Sequence, residues 1–217
     1  MSLLQRGQMI VFEGDSLTNR RGGPSLDTWP FLRLMRWNGS WADQAAELLF
    51  AWRPELELRF HNAAVGGSSC RELTERLERS VLPHKPDWVF LTLGANDAAR
   101  GIPVKEFEQT LSAYARRLKE ACGARLGFVS GFHPIPRKLE SGIESKMKVP
   151  PYYRKLQAVA ARHNGLYLNV GRRLYEKAAV LRKQSTHHTI FSDGSHFNEL
   201  GDLIIAGEVL RELGVIK

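Results

Sequence analysis

The sequence predicts an α/β domain built on a parallel sheet with helices on both faces. Three observations carry this. Short apolar or alternating runs recur five times along the 217 residues. Segments between them place apolar residues at helical spacing. One run, residues 88–93, is apolar nearly throughout, as a strand buried on both faces must be. Strands alternating with helices give a sheet covered on both sides.

Residues 8–13 form the first expected strand, which runs into Gly14, Asp15 and Ser16. Ser40 then caps a helix through Phe50, with Asp43 at the third helical position to complete a capping box. Residues 56–61 alternate and read as the second strand. Ser69 and Glu72 repeat the capping-box spacing and open a second helix. After the third strand, Val104, Phe107, Leu111, Tyr114 and Leu118 mark one face of a long helix, with Pro103 in its first turn. Residues 125–130 are the fourth strand and 166–170 the fifth; Tyr153, Leu156, Val159 and Ala160 mark a helix between them. Leu200, Leu203, Ile204, Gly207 and Leu210 line one face of the last helix.

No internal repeat or low-complexity linker divides the chain, so residues 1–217 read as a single domain. Two stretches look irregular. Residues 19–38 carry Arg20, Arg21, Gly22, Gly23, Pro24 and Pro30, and residues 133–151 carry four prolines. Loops this long are often functional. Both follow strand ends, where they could wall or cover a pocket; plain surface loops are the alternative. Trp29, Trp37 and Trp41 stand in or near the first, either as an aromatic wall or as core.

Composition is that of an ordinary globular protein, 43% apolar and 25% charged. The formal charge is +8, but basic residues are scattered and no nucleic-acid motif occurs, so no nucleic-acid partner is expected. No apolar run approaches a membrane span. Residues 1–9 lack the apolar core of a signal peptide, which points to the cytoplasm unless a leader has been removed. Cys70 and Cys122 form no CxxC pair and read as reduced thiols. Oligomeric state is not legible.

Four clusters carry chemistry, each at a strand exit or at the entry to the last helix. Ser16 lies on the turn after the first strand. Residues 62–69 include Gly66 and Gly67 just before a helix start, where backbone N–H groups point outward and favour negative charge. Asn96, after the third strand, can donate its amide N–H to a developing oxyanion. His196 can act as general base, and Asp193 can curl back through Gly194 to fix its tautomer. Asn198 can cap the final helix. Alone, each has a bland reading as a turn, cap or loop residue. Together they supply nucleophile, base, orienter and oxyanion donors on one sheet edge, the set acyl transfer requires. His187 and His188 lack further ligands for a metal site, so no metal or organic cofactor is expected. A phosphate-binding module is disfavoured, because neither the P-loop lysine pattern nor G-x-G-x-x-G is present.

Gly14-Asp15-Ser16-Leu17, Asn62 to Gly67, Gly94-Ala95-Asn96-Asp97 and Asp193-Gly194-Ser195-His196, in that order, resemble the blocks of the SGNH hydrolases, also called GDSL esterases or lipases. The resemblance spans nearly the whole chain. It departs at Phe197, where proline or leucine is commoner. It implies a flavodoxin-like three-layer α/β/α fold with strand order 2-1-3-4-5. It implies a triad of Ser16, His196 and Asp193, and an oxyanion hole made by the Ser16 and Gly67 amides and the Asn96 side chain. Asp15 and His133 are expected in the substrate pocket, with a loop histidine as the alternative for His133. The family hosts carbohydrate deacetylases, lysophospholipases and thioesterases. The many Arg and Lys residues of the two loops favour a small-molecule ester with a short acyl or acetyl group on a polar or carbohydrate-like alcohol.

Overall fold

A computed structural model describes residues 2–19, 39–133, 135–136, 148–185, 187–193 and 196–216. Trp29, Trp37, Gly194, Ser195 and most of the two long loops lie outside the described residues.

Five parallel strands form one sheet in the order β2-β1-β3-β4-β5. They are β1 (Met9–Gly14), β2 (Arg59–Asn62), β3 (Trp88–Thr92), β4 (Arg125–Ser130) and β5 (Leu166–Asn169). The helices are α1 (Trp41–Trp52), α2 (Cys70–Ser80), α3 (Ala95–Ala99), α4 (Val104–Cys122), α5 (Pro150–Arg162), α6 (Gly171–Gln184) and α7 (Glu199–Glu212). The twofold period of a strand sorts its side chains into two layers. Ile10, Phe12, Trp88 and Phe90 join the core beneath α1, α6 and α7. Met9, Val11, Val89 and Leu91 join the core beneath α2, α4 and α5. Phe90 pairs in register with Gly127 on β4, and a Cβ on that glycine would lie 2.4 Å from the Phe90 ring.

Both expected capping boxes form: Asp43 accepts from the Ser40 N–H at 3.1 Å, and Glu72 from the Ser69 N–H at 2.8 Å. Asn198 caps α7 by accepting from the Gly201 N–H at 3.0 Å. Several expectations shift. Residues 54–56 form a single 3₁₀ turn opened by Pro54, and Glu57 takes a left-handed φ of 47°, so β2 begins only at Arg59. Pro103 occupies the cap of α4 rather than its first turn. Pro150 and Pro151 open α5, where a missing N–H costs nothing, instead of ending an irregular loop. Helix α6 was not marked by the sequence pattern. Trp41 is fully buried beside Phe12, so it belongs to the core.

The face of α7 is also rotated from the expected one. Of the expected face, Leu210 is buried and Ile204 packs against the core, but Leu200 and Leu203 are exposed, while Gly201, Ile205, Ala206 and Val209 are buried. Gly201 pins that rotation, since a Cβ there would stand 2.5 Å from the Ile190 carbonyl oxygen. Glu208 turns inward as well, to meet Arg173 and Lys177 from α6.

The order places β1 and β3 side by side. Their connections leave to opposite faces, opening a crevice at the strand C-termini.

Candidate active site

The first chemical group stands at the end of β1. Gly14 has φ 137°, and a Cβ there would sit 2.4 Å from the Thr92 carbonyl oxygen, so only glycine lets the two strands stay this close while the chain turns. The turn continues as Thr18 and Asn19 donate their N–H groups to the Asp15 carbonyl at 3.1 and 2.9 Å. Ser16 is presented at its start. Asn62 ties β2 to this turn by donating to the Thr18 carbonyl at 2.8 Å.

The Ser16 Oγ lies 3.0 Å from His196 Nε2. The other ring nitrogen, Nδ1, lies 2.9 and 3.1 Å from the two oxygens of Asp193. Asp193 also accepts the His196 backbone N–H at 2.8 Å, so its side chain is anchored by the residue it orients. Residues 180 apart in sequence are thus brought into one hydrogen-bonded line. The Asp193 carboxylate is half exposed, unlike the buried orienting carboxylate of the chymotrypsin arrangement.

Gly66 packs against the serine, with the Cβ direction of Gly66 pointing 3.8 Å from Ser16 Cβ. Gly67 has φ 78° and open space beyond its Cα. Among the described residues, neither the Ser16 N–H nor the Gly67 N–H is spent on a hydrogen bond. The Asn96 Nδ2 donates to the Ser68 carbonyl at 3.1 Å and reaches Asp15 Oδ2 at 3.4 Å. Asp97 is buried behind it and accepts the first N–H of α2, from Cys70, at 2.9 Å. Burial raises its carboxyl above the usual range. Asp97 therefore locks the glycine turn to the Asn96 turn.

Asp15 and His133, also expected in the pocket, are both buried. Asp15 is 2% exposed and faces inward. It accepts from the Leu17 N–H at 3.0 Å and the Thr92 hydroxyl at 3.2 Å. Desolvation pushes its carboxyl up to about 6, against those hydrogen bonds. It supports the Asn96 amide from beneath. His133 is 6% exposed, with no partner for Nδ1 among the described residues. Burial, then the charge of His196, lowers it to about 4. Neither residue lines the described cleft, because strand-end side chains here pack under the turns. Phe197 is buried against Phe132 and Phe191, so it anchors the loop of His196 while its edge lines the cleft.

The cleft beside Ser16 and His196 holds about 460 Å³. Asn19, Ser40, His187, His188 and Ser192 line it, with Leu17, Phe197 and Leu200 as apolar members. Among the described residues, no three His, Cys, Asp or Glu side chains are grouped to hold a metal ion, and no helix is long and apolar enough to cross a membrane.

The sequence reading missed the scaffold beneath these groups: Glu13, Ser68, Arg76 and Thr92. A signal existed. Glu13 interrupts an apolar strand, and Arg76 stands between Leu73 and Leu77 on the inner face of α2.

A parallel α/β sheet whose crevice joins a serine hydroxyl, an imidazole and a carboxylate, beside outward backbone amides, defines a carboxylic ester hydrolase. The profile of the GDSL-like Lipase/Acylhydrolase family matches residues 12–203, and the chain belongs to that family. It is 27% identical over 214 residues to the acetylxylan esterase of Geobacillus stearothermophilus, spanning 96% of this chain and 94% of that protein. It is 28% identical over 112 residues to thioesterase 1/protease 1/lysophospholipase L1 of Escherichia coli (strain K12), which is 52% of this chain and 46% of that one. The solved structure of the Geobacillus stearothermophilus acetylxylan esterase superposes with a TM-score of 0.75 at 23% identity, covering 97% of this chain and 96% of the other. An alpha/beta hydrolase enzyme from the metagenome of Lake Arreo, Spain, superposes with a TM-score of 0.76 at 23% identity, covering 99% and 98%.

Proposed function

We propose that the protein hydrolyses short-chain acyl esters, acetyl esters above all, of a polar or carbohydrate-like alcohol. The observation that carries this is the line from Ser16 Oγ through His196 to Asp193. Ser16 Oγ attacks the ester carbonyl carbon while His196 Nε2 takes its proton. The new oxyanion accepts from the Ser16 and Gly67 amides and from Asn96 Nδ2, whose long 3.4 Å contact to Asp15 gives way while its bond to the Ser68 carbonyl holds. Collapse breaks the bond to the alcohol oxygen, which leaves with the proton held on His196. Water then repeats the attack, again giving its proton to His196, and releases the acid and free Ser16. Asp193 keeps Nδ1 protonated throughout. This chemistry calls for no cofactor.

Two observations support the substrate class. The described cleft wall carries hydroxyl, amide and imidazole groups of Asn19, Ser40, His187, His188 and Ser192 beside Leu17, Phe197 and Leu200, which suits a hydroxylated alcohol with a short acyl group. The relative matched over nearly the whole chain is an acetylxylan esterase, and solved catalytic mutants of it replace a serine and a histidine by alanine. The match to thioesterase 1/protease 1/lysophospholipase L1 favours a second reading, an acylhydrolase of lysophospholipids or thioesters.

The test is a rate series with p-nitrophenyl esters from acetyl to palmitoyl, run beside acetylated xylo-oligosaccharides. Acetyl esters should turn over fastest, and Ser16→Ala should lose at least roughly 10³-fold in kcat. An optimum at long chains would transfer the assignment to the second reading. Near-normal turnover by Ser16→Ala would overturn the mechanism.

A further inference from the structure

Under the Ser16 turn lies a buried ion pair that no hydrolytic step uses. Glu13 is the last β1 side chain on the α2 face and is fully buried; Arg76 of α2 is 4% exposed. Arg76 Nη2 and Nε donate to Glu13 Oε1 at 2.6 and 3.2 Å. The same guanidinium reaches two further groups. Nη2 donates to the Gly14 carbonyl at 3.0 Å, and Nη1 donates to Ser68 Oγ at 2.7 Å. The Ser68 hydroxyl donates its own hydrogen bond to the Val65 carbonyl at 2.7 Å, bracing the turn that contains Gly66 and Gly67. The Ser68 carbonyl receives the Asn96 amide.

One cation therefore holds both the strand end that carries Ser16 and the turn that carries Gly67, and Ser68 extends that hold to Asn96. A buried ion pair is weak as a source of stability, because desolvation offsets its attraction. What a guanidinium offers is a rigid planar fork that fixes the separation of its acceptors.

We propose that Arg76, held by Glu13, is a positioning residue for the oxyanion site. It sets the spacing between Ser16 and the Gly67 amide, and through Ser68 it aims the Asn96 amide. The inference rests on the esterase reading of the same site. It acts on donors that matter in the tetrahedral transition state more than in substrate binding. Its loss is therefore read in kcat with KM nearly unchanged.

The decisive variants are Arg76→Lys, the paired Glu13→Gln/Arg76→Met, and Ser68→Ala, assayed on p-nitrophenyl acetate with far-UV circular dichroism to establish folding. Each folded variant should lose roughly 10- to 100-fold in kcat, the effect of misplacing a reacting group by a fraction of an ångström to an ångström. Ser68→Ala keeps the ion pair and its hold on Gly14, so it decides the matter if the Arg76 variants do not fold. A second readout separates positioning from mere scaffolding. Combined with Asn96→Ala, Ser68→Ala should cost much less than the product of the two single losses, because both act on one oxyanion. A kcat within twofold of wild type for folded Ser68→Ala, or fully multiplicative losses, overturns the proposal while the esterase reading stands. A wild-type protein that neither cleaves acetyl esters nor is labelled at Ser16 by an organophosphonate overturns the esterase reading and this inference with it.

Discussion

Asp15 and His133 are buried near the same sheet edge, and burial moves their protons in opposite directions. Asp15 is pushed up to about 6 from 3.8. Between those values the folded state binds more protons than the unfolded chain, so stability rises as pH falls from 6 toward 4. The cost of the ionised carboxylate, about 3 kcal/mol, is fully present above pH 6. His133 is lowered to about 4 from 6.5. There the unfolded chain takes up the proton first, so stability is lost as pH falls from 6.5 to 4, again by about 3 kcal/mol. The two contributions oppose each other across one pH window. Asp15→Asn should therefore steepen the loss of stability between pH 7 and 4.5, and His133→Gln should flatten or reverse it. Urea denaturation at both pH values measures this. Two variants whose stability changes with pH in parallel with wild type would show that neither group titrates as its surroundings dictate. Both residues were legible as strand-end polar groups near the site. That they lie under the turns was not, because exposure is decided by how Thr92, Asn96 and the β4 exit pack around them.

At the level of elements, strands and capped helices were largely legible, and the failures have specific causes. The five strands stand out because burial on one or both faces leaves a periodic signature. Helix α6 escaped because its buried set is sparse, with Gly171, Leu174 and Ala178 among many charges. Part of the α7 face, Leu200 and Leu203, was misassigned because leucine content pointed one way while the contacts of Gly201 and Glu208 turned the helix another; Leu210 is buried as expected. The rotation makes a sharp forecast. Ile205→Ala removes a fully buried side chain and should cost about 2–5 kcal/mol. Leu203→Lys, on a side chain 45% exposed, should change stability by no more than about 0.5 kcal/mol. Equilibrium denaturation of the two variants checks it. The reverse ranking would restore the face that leucine content alone suggests.

For the whole molecule, alternation of strands and helices implied a parallel sheet but not which strands adjoin. Adjacency of β1 and β3 followed only from the resemblance of the four blocks, and it is this adjacency that sets Ser16 beside Asn96. The same sheet divides the interior in two, one core beneath α1, α6 and α7 and the other beneath α2, α4 and α5. Each layer alone would leave one face of every strand bare to water. We therefore propose that the chain unfolds as one cooperative domain despite its two cores. Leu111 of α4 and Leu174 of α6 are buried in opposite layers. Replacing either with alanine should cost about 2–5 kcal/mol. In each variant, far-UV circular dichroism and tryptophan fluorescence should trace the same single transition. The double variant should be additive within about 0.5 kcal/mol, since the side chains share no partner across the sheet. Separate transitions for the two probes in either variant would mean that the layers fold independently. The crevice between β1 and β3 would then be a boundary between two units rather than a feature of one.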